Sequence, residues 1–243
     1  MESRKHDVII IGGGSAGYAA ARTAQEAGAD VGIVDSGPLG GLCILRGCMP
    51  TKAILRSSNI LALMRQGAEF GLRAEDPRGD LAAILKRKDR LVGEFAAERI
   101  GALRDDRFTL YEDRAAFTGS REIVSGKFRL QFESAIIATG SVPSRIPVPG
   151  LEEVGYLTSD EILSRSEQPA SLIVLGGGPV AAELAQFFQR LGTQVSLIQR
   201  SDHILSDADA DLAQAVEERF CDEGMDLFTG TCLQRVEQDG GSK

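Results

Sequence analysis

The sequence predicts an α/β chain of two consecutive nucleotide-binding domains, the second incomplete. Three observations carry that expectation. A glycine-rich turn, Gly12–Gly17, follows a short β-branched strand, a matching turn recurs at Gly176–Ala181, and a proline-rich passage from Pro143 to Gly150 lies between the two copies. With 243 residues, 43% of them hydrophobic, the chain can build two ordinary cores. A net charge of −8 and a pI near 5.0 argue against nucleic acid or an anionic membrane as the main partner. The apolar run Val8–Ile11 is too short for a signal peptide or a span, and no later run approaches the ~18 apolar residues that a membrane helix needs. Four cysteines, two of them isolated, make no disulfide framework. A reducing cytoplasm is the expected compartment.

Taken in order, Asp7–Ile11 is β-branched and unalternating, the pattern of a strand buried on both faces. Gly12-Gly13-Gly14-Ser15-Ala16-Gly17 then opens a helix to about Ala27, Gly28 stops it, and Val31–Val34 forms a strand ending at Asp35. Strand, G-x-G-x-x-G, helix, strand and acid in one unit of this length describe a Rossmann-like dinucleotide fold. The glycines give a tight turn and let a diphosphate approach the helix start, and the acid accepts from a ribose hydroxyl. Gly12, Gly14, Ser15, Ala16, Gly17 and Asp35 are therefore candidate contacts of an ADP-containing ligand.

The chemistry concentrates in Gly40–Lys52, which holds Cys43 and Cys48 with four residues between them. Residues five apart on a regular helix point about 140° apart, so a bridge needs a distorted turn. Gly40, Gly41 and Gly47 permit one. Pro50 suits the first position of a helix running to Gln66, which puts Cys48 at or just before the helix start. There the dipole favours a thiolate. Lys52 is the wrong charge for a first turn and calls for an anionic neighbour. A redox dithiol, two plain thiols and a zinc pair all remain open at this point. Neither His6 nor His203 lies near the pair in sequence, which weakens zinc, and no metal site is expected.

Asp80–Leu103 has helical period, and Phe108–Phe117, Ile123–Val124 and Phe128–Phe132 read as short strands. Ala135–Ala138 is a buried strand ending at Thr139-Gly140-Ser141, and the boundary falls in the proline passage, giving 1–149 and 150–243. The second copy follows: strand Ser171–Leu175, turn Gly176–Glu183, helix to Leu191, and strand Val195–Ile198. Gly28 and Gly192 lie at the same offset from their first glycines, as do Val31 and Val195. The offset of Asp35 is held by Gln199, with Arg200 next. Asp35 repels a 2′-phosphate, whereas Gln199 with Arg200 removes that repulsion and offers a guanidinium. The second site therefore leans towards NADP(H) over NAD(H). Cys221 and Cys232 read as ordinary thiols on a helix and a strand.

Together, Gly12–Gly17 with Asp35, C-x₄-C-x-P-x-K at Cys43–Lys52, Ala138–Ser141 and Gly176–Glu183 resemble the class I pyridine nucleotide–disulfide oxidoreductases over essentially the whole chain. That family includes dihydrolipoyl dehydrogenase, glutathione reductase and mercuric reductase. The resemblance implies FAD in the first domain, with Gly41, Ala116, Thr139 and Gly140 among its contacts, and NAD(P)H in the second, at Gly176, Gly178, Val180, Glu183, Gln199 and Arg200. It implies that Cys48 is the charge-transfer thiolate, that Cys43 is the thiol meeting a small disulfide or dithiol substrate, and that Lys52 and Glu183 pair near the reactive part of the flavin. Pro50–Ser57 is most similar to dihydrolipoyl dehydrogenases. Ala181 and Gln199-Arg200 resemble the NADPH-using reductases, so a glutathione- or mercuric-reductase-like activity and a non-catalytic flavin-binding fragment are the alternatives. Leu42 stands where the family usually has threonine, and Ile44-Leu45-Arg46 replaces a segment that often contains asparagine. Family members are about twice as long and dimeric, and neither histidine matches their acid–base histidine. The 243-residue chain is therefore expected to be the front half of a homodimeric enzyme, with negligible turnover alone.

Overall fold

A computed structural model of the protein describes residues 1–165 and 167–240. The chain forms two compact units, Met1–Pro50 with Asp89–Val142, and Thr51–Lys88 with Pro143–Lys243.

The first unit contains β1 (Glu2–Ile11), α1 (Ser15–Glu26), β2 (Val31–Val34), α2 (Gly41–Leu45) and the start of α3 (Cys48–Arg65). After the end of α4 (Leu81–Leu103) come β3 (Thr109–Tyr111), β4 (Ala115–Gly119), β5 (Glu122–Ser125) and β6 (Phe128–Ile137). The six strands form one sheet in the order β3-β2-β1-β6-β5-β4, with β1 parallel to both β2 and β6. The unalternating sequence of β1 now has its reason. Ile10 packs with Ala21, Val31, Ile33, Leu103 and Phe108 on one face, while Ile9 packs with Val34, Tyr111, Ile123, Leu130 and Phe132 on the other. Both isoleucines are fully buried. β1 starts five residues before the expected Asp7 because β6 pairs with it from Glu2 onward.

That pairing also merges two expected strands, Phe128–Phe132 and Ala135–Ala138, into the single β6, antiparallel to β5 on one side and parallel to β1 on the other. The single strand expected over Phe108–Phe117 is instead two, β3 and β4, at opposite ends of the strand order. Only residues 112–114 separate them, and so short a link requires the sheet to curl back on itself. His6 pins the curl. Its ring is buried, with Nδ1 2.9 Å from Asp30 Oδ2 and Nε2 2.8 Å from the Tyr111 hydroxyl.

The second unit adds α5 (Leu151–Val154), α6 (Ser159–Ile162), β7 (Ser171–Leu175), α7 (Pro179–Leu191), β8 (Gln194–Ile198), α8 (Ala210–Asp222) and β9 (Asp226–Phe228). Its described strands form a parallel sheet, β7-β8-β9. The core is the apolar face of α7, with Leu184, Ala185, Phe187, Phe188 and Leu191 buried against Ile54 and Leu61 of α3 and Leu81 and Leu85 of α4. A fully buried side chain such as Phe187 contributes about 1.5–3 kcal/mol. Cys221 lies on α8 and is exposed. Cys232, expected on a strand, is in an irregular run beyond β9 and is also exposed. Among the described residues no helix is long and apolar enough to cross a membrane.

Candidate functional site

The site begins at the carboxyl end of β1. Gly14 precedes α1 as its N-cap without a side-chain bond, and no acidic residue occupies the first turn, so the amide donors there keep their positive potential. Gly17 fixes how close the helix comes, since a Cβ there would lie 1.7 Å from the Gly12 carbonyl oxygen. Asp35, at the end of β2, folds back onto this loop. Its Oδ2 accepts from the Gly13 N–H at 2.5 Å and its Oδ1 from the Gly37 N–H at 2.7 Å. Asp35 thus braces the turn while closing one end of the space beside it.

That space is a cleft of about 420 Å³. Of the residues singled out by sequence, Gly12, Gly14, Asp35, Gly41, Thr139 and Gly140 line it. Ser15, Ala16 and Gly17 lie behind Gly14 in the first turn of α1. Ala116 is exposed on β4, one residue beyond the lining residue Ala115. Leu42, Leu45 and Arg46, noted in the sequence as departures from the family pattern, also line the cleft, as do Asp113 and Arg114, which the sequence reading missed. Asp113 and Arg114 arrive there through the curled sheet, which no local pattern announces. Arg46 arrives because α2 turns its 42, 45 and 46 face inward, a signal that was legible in the i, i+4 spacing.

The dithiol segment is part of the same wall. Gly41 packs against Gly14 so closely that a Cβ on Gly41 would lie 2.4 Å from the Gly14 Cα. Cys43 lies in α2 and is half-buried, while Cys48 is the first residue of α3 and is exposed, and no disulfide joins them. The Arg46 and Gly47 N–H groups both donate to the Leu42 carbonyl, at 2.9 and 2.8 Å, and make the turn between the two cysteines. The helix therefore starts two residues before the expected Pro50. Pro50 takes the third position at no loss, since the first turn has no intrahelical acceptors for its N–H groups. Lys52 correspondingly falls in the second turn, where the dipole penalty is smaller.

Lys52 has the anionic partner it called for, with its Nζ donating to Glu183 Oε1 on α7. One heptad further along, Asn59 Oδ1 accepts from Arg190 Nη1. Each pair is 131 residues apart in sequence, so α3 and α7 run parallel in one register. Arg65 Nη1 closes the far end on the Arg190 carbonyl at 2.6 Å. Arg190 is anchored in turn by Glu223 at 2.6 Å, both side chains nearly buried.

The second glycine turn repeats the first. Gly178 precedes α7, Pro179 is its first residue, Val180 is exposed and Glu183 is half-buried. Gln199 Oε1 accepts from the Gly177 N–H at 3.1 Å, the same bond that Asp35 makes in the first copy, but without a charge. Gly176 lies at the end of β7 and Arg200 is exposed beyond β8.

The pattern of the pyridine nucleotide-disulphide oxidoreductases matches residues 6–243. The chain belongs to that family. Pyridine nucleotide-disulphide oxidoreductases similar to it include the mercuric reductase of Staphylococcus aureus, 38% identical over 98% of this chain and 44% of that protein. The dihydrolipoyl dehydrogenase of Bacillus subtilis (strain 168) is 34% identical over 95% of this chain and 52% of that protein. A variant of the HOCl-induced flavoprotein disulfide reductase RclA from Escherichia coli, solved as a Cu(II) complex, superposes with a TM-score of 0.82 at 24% identity. It covers 99% of this chain and 52% of that one, a likeness that shows the shared fold. The chain spans about half the length of the curated relatives it matches.

Proposed function

We propose that this chain carries the electron-entry half of a flavin-dependent NAD(P)H disulfide oxidoreductase, with FAD on residues 1–149 and the nicotinamide nucleotide on 150–243. The observation that supports this reading most directly is the shared wall. The helix bearing Cys43 lines the same cleft as the glycine turn and Asp35. The donor set fits a dinucleotide: an uncapped helix start for the diphosphate, a carboxylate at the ribose end, and two arginines in the lining.

FAD, when bound, supplies a two-electron relay between the nicotinamide and the Cys43–Cys48 disulfide. The residues do the rest. Once the disulfide is reduced, Cys48 is held as thiolate and Cys43 attacks a substrate disulfide, releasing one substrate thiol. Cys48 then attacks the Cys43 sulfur, re-forming Cys43–Cys48 and releasing the second thiol. Lys52 and Glu183 hold each other at the flavin end, and Gly176, Gly178, Val180, Gln199 and Arg200 receive the nucleotide, NADP(H) in preference to NAD(H). The Pro50–Ser57 segment supports a dihydrolipoyl-type substrate. The 38% identity to a mercuric reductase supports Hg(II) as the second reading. In the parent-length protein we propose a homodimer working in the cytoplasm on a small disulfide or dithiol.

The test is spectroscopic. In flavin-loaded protein, Cys43→Ser should show a long-wavelength charge-transfer band without added reductant, and Cys48→Ser should show none after two-electron reduction. A colourless Cys43→Ser protein at that wavelength would reverse or remove the assigned roles, and flavin binding without any band would support the non-catalytic alternative. Turnover of lipoamide, glutathione disulfide and Hg(II) by the parent-length protein separates the substrates.

A further inference from the structure

We propose that Arg46 is the side chain that pairs with the cofactor diphosphate, so that binding of the dinucleotide is read directly by the loop joining the two cysteines. The inference rests on the FAD reading above and adds to it a residue and a specificity.

A dinucleotide brings about two negative charges in its diphosphate, and the cleft must offset them. The start of α1 offers roughly half a charge. The lining also holds two carboxylates, Asp35 and Asp113. Asp35 is turned onto the N–H groups of Gly13 and Gly37, and Asp113 Oδ1 accepts from the Arg114 N–H at 2.7 Å. Neither carboxylate is neutralised by those bonds, so the cations of the lining decide whether an anion is welcome. They are Arg46 and Arg114.

Their positions separate their tasks. Arg114 lies in the short link three residues beyond the end of β3, where the Tyr111 carbonyl accepts from the Asp35 N–H at 3.0 Å. That places it at the Asp35 end, where ribose and adenine are read. Arg46 caps the C-terminal end of α2, whose first residue, Gly41, packs against Gly14 at the start of α1. That is the diphosphate end. On α2 the position one turn before Arg46 is Leu42, and the Arg46 N–H donates to the Leu42 carbonyl at 2.9 Å, so both side chains face the cleft from one side. Leu42 is aliphatic where the family usually places a hydroxyl. The α2 wall therefore has no hydroxyl donor at that position, and a guanidinium one turn later. Arg46 has a partner within the protein, but five N–H donors leave it capacity for a phosphate as well.

The experiment is calorimetric titration of the flavin-stripped chain with ADP, adenosine, FAD and riboflavin. Arg46→Ala should weaken ADP and FAD about 10- to 100-fold, the loss of one charged hydrogen bond or bidentate pair. Adenosine and riboflavin should change less than about 2-fold. The salt dependence of ADP binding should flatten, and Arg46→Lys should recover part of the loss while Arg46→Gln should not. Circular dichroism and melting of all three variants should match wild type, and if Arg46→Ala alone is unstable, the Lys–Gln pair gives the same reading. Equal losses for ADP and adenosine, or none for ADP, would overturn the inference while leaving the FAD reading intact. A wild-type chain that binds neither ADP nor FAD would overturn that reading, and the inference with it.

Discussion

The two glycine turns are copies in sequence but not in tightness. At Gly17 the first turn has no room for a methyl group, since a Cβ would sit 1.7 Å from a backbone oxygen. The second turn carries that methyl at the same offset, as Ala181. At the residue just beyond the second strand of each copy, Asp35 and Gln199 make the same bond to the turn, one with a charge and one without. At the end of the helix the positions diverge again. Glu26 is exposed and paired with Arg22, whereas Arg190 is nearly buried and paired with Glu223. The first copy is therefore rigid at its ligand end, and the second is anchored at the opposite end of its helix. A tight turn suits a cofactor that stays bound, and a looser one suits a nucleotide that leaves in every cycle.

The largest expected effect breaks the comparison at the turn. Gly17→Ala forces α1 away from its loop and should cost at least about 4 kcal/mol, lowering the melting temperature by roughly 8–16 °C. Ala181→Gly should cost no more than about 1 kcal/mol. Differential scanning calorimetry distinguishes them, and a Gly17→Ala protein melting within about 2 °C of wild type would mean that the two turns are equally open.

Next comes the anchor. Burial alone would raise the pKa of Glu223, but the Arg190 hydrogen bond and the charges of Arg190 and Arg219 outweigh it and hold the carboxyl below its ordinary value. A carboxylate whose pKa is depressed by folding stabilises the protein above the unfolded pKa of about 4.3, and that stabilisation is lost as pH falls through the folded value. Glu223→Gln should therefore cost about 3 kcal/mol at neutral pH, and the gap to wild type should close as the pH drops below about 4. Glu26→Gln should change stability by about 0.5 kcal/mol or less. Denaturant titrations at pH 7 and at progressively lower pH check both.

The ligand ends provide the third contrast. Arg200→Ala should weaken NADPH by about 10- to 150-fold and leave NADH almost unchanged. Equal losses in the two titrations would make Arg200 a surface cation. The smallest effect is expected at Gly178, where a Cβ meets nothing within 4 Å and the backbone is extended. Gly178→Ala should stay within about 1 kcal/mol of wild type by melting.

These contrasts show what could be read before folding. Val31–Val34 and Ser171–Leu175 were legible to the residue because glycines and charges bound short β-branched runs. The family and the two-copy plan were legible as well, and the Lys52–Glu183 pairing was implied by the family resemblance, with the wrong charge of Lys52 for its place near a helix start in agreement. The split of Phe108–Phe117 into β3 and β4 was not, because it follows from the curl of the sheet and not from any local preference. Asp113 and Arg114 reach the cleft by that same curl. The assignment of 51–88 to the second compact unit was equally silent, since an amphipathic helix does not say which core will receive its apolar face.

The parallel register of α3 and α7 also sets a rule for which changes of chain length can be tolerated. Lys52 and Asn59 must stay as far apart as Glu183 and Arg190, about 10.5 Å at the rise of an α-helix. Inserting or deleting one residue among positions 53–58 turns one tie by about 100° relative to the other, and no side-chain adjustment restores both. A substitution at an exposed position such as Arg56 leaves the spacing untouched. This stretch should therefore accept other side chains only at its exposed positions and no change in length at all, and its counterpart between Glu183 and Arg190, whose Leu184, Ala185, Phe187 and Phe188 are core, should accept no change in length either.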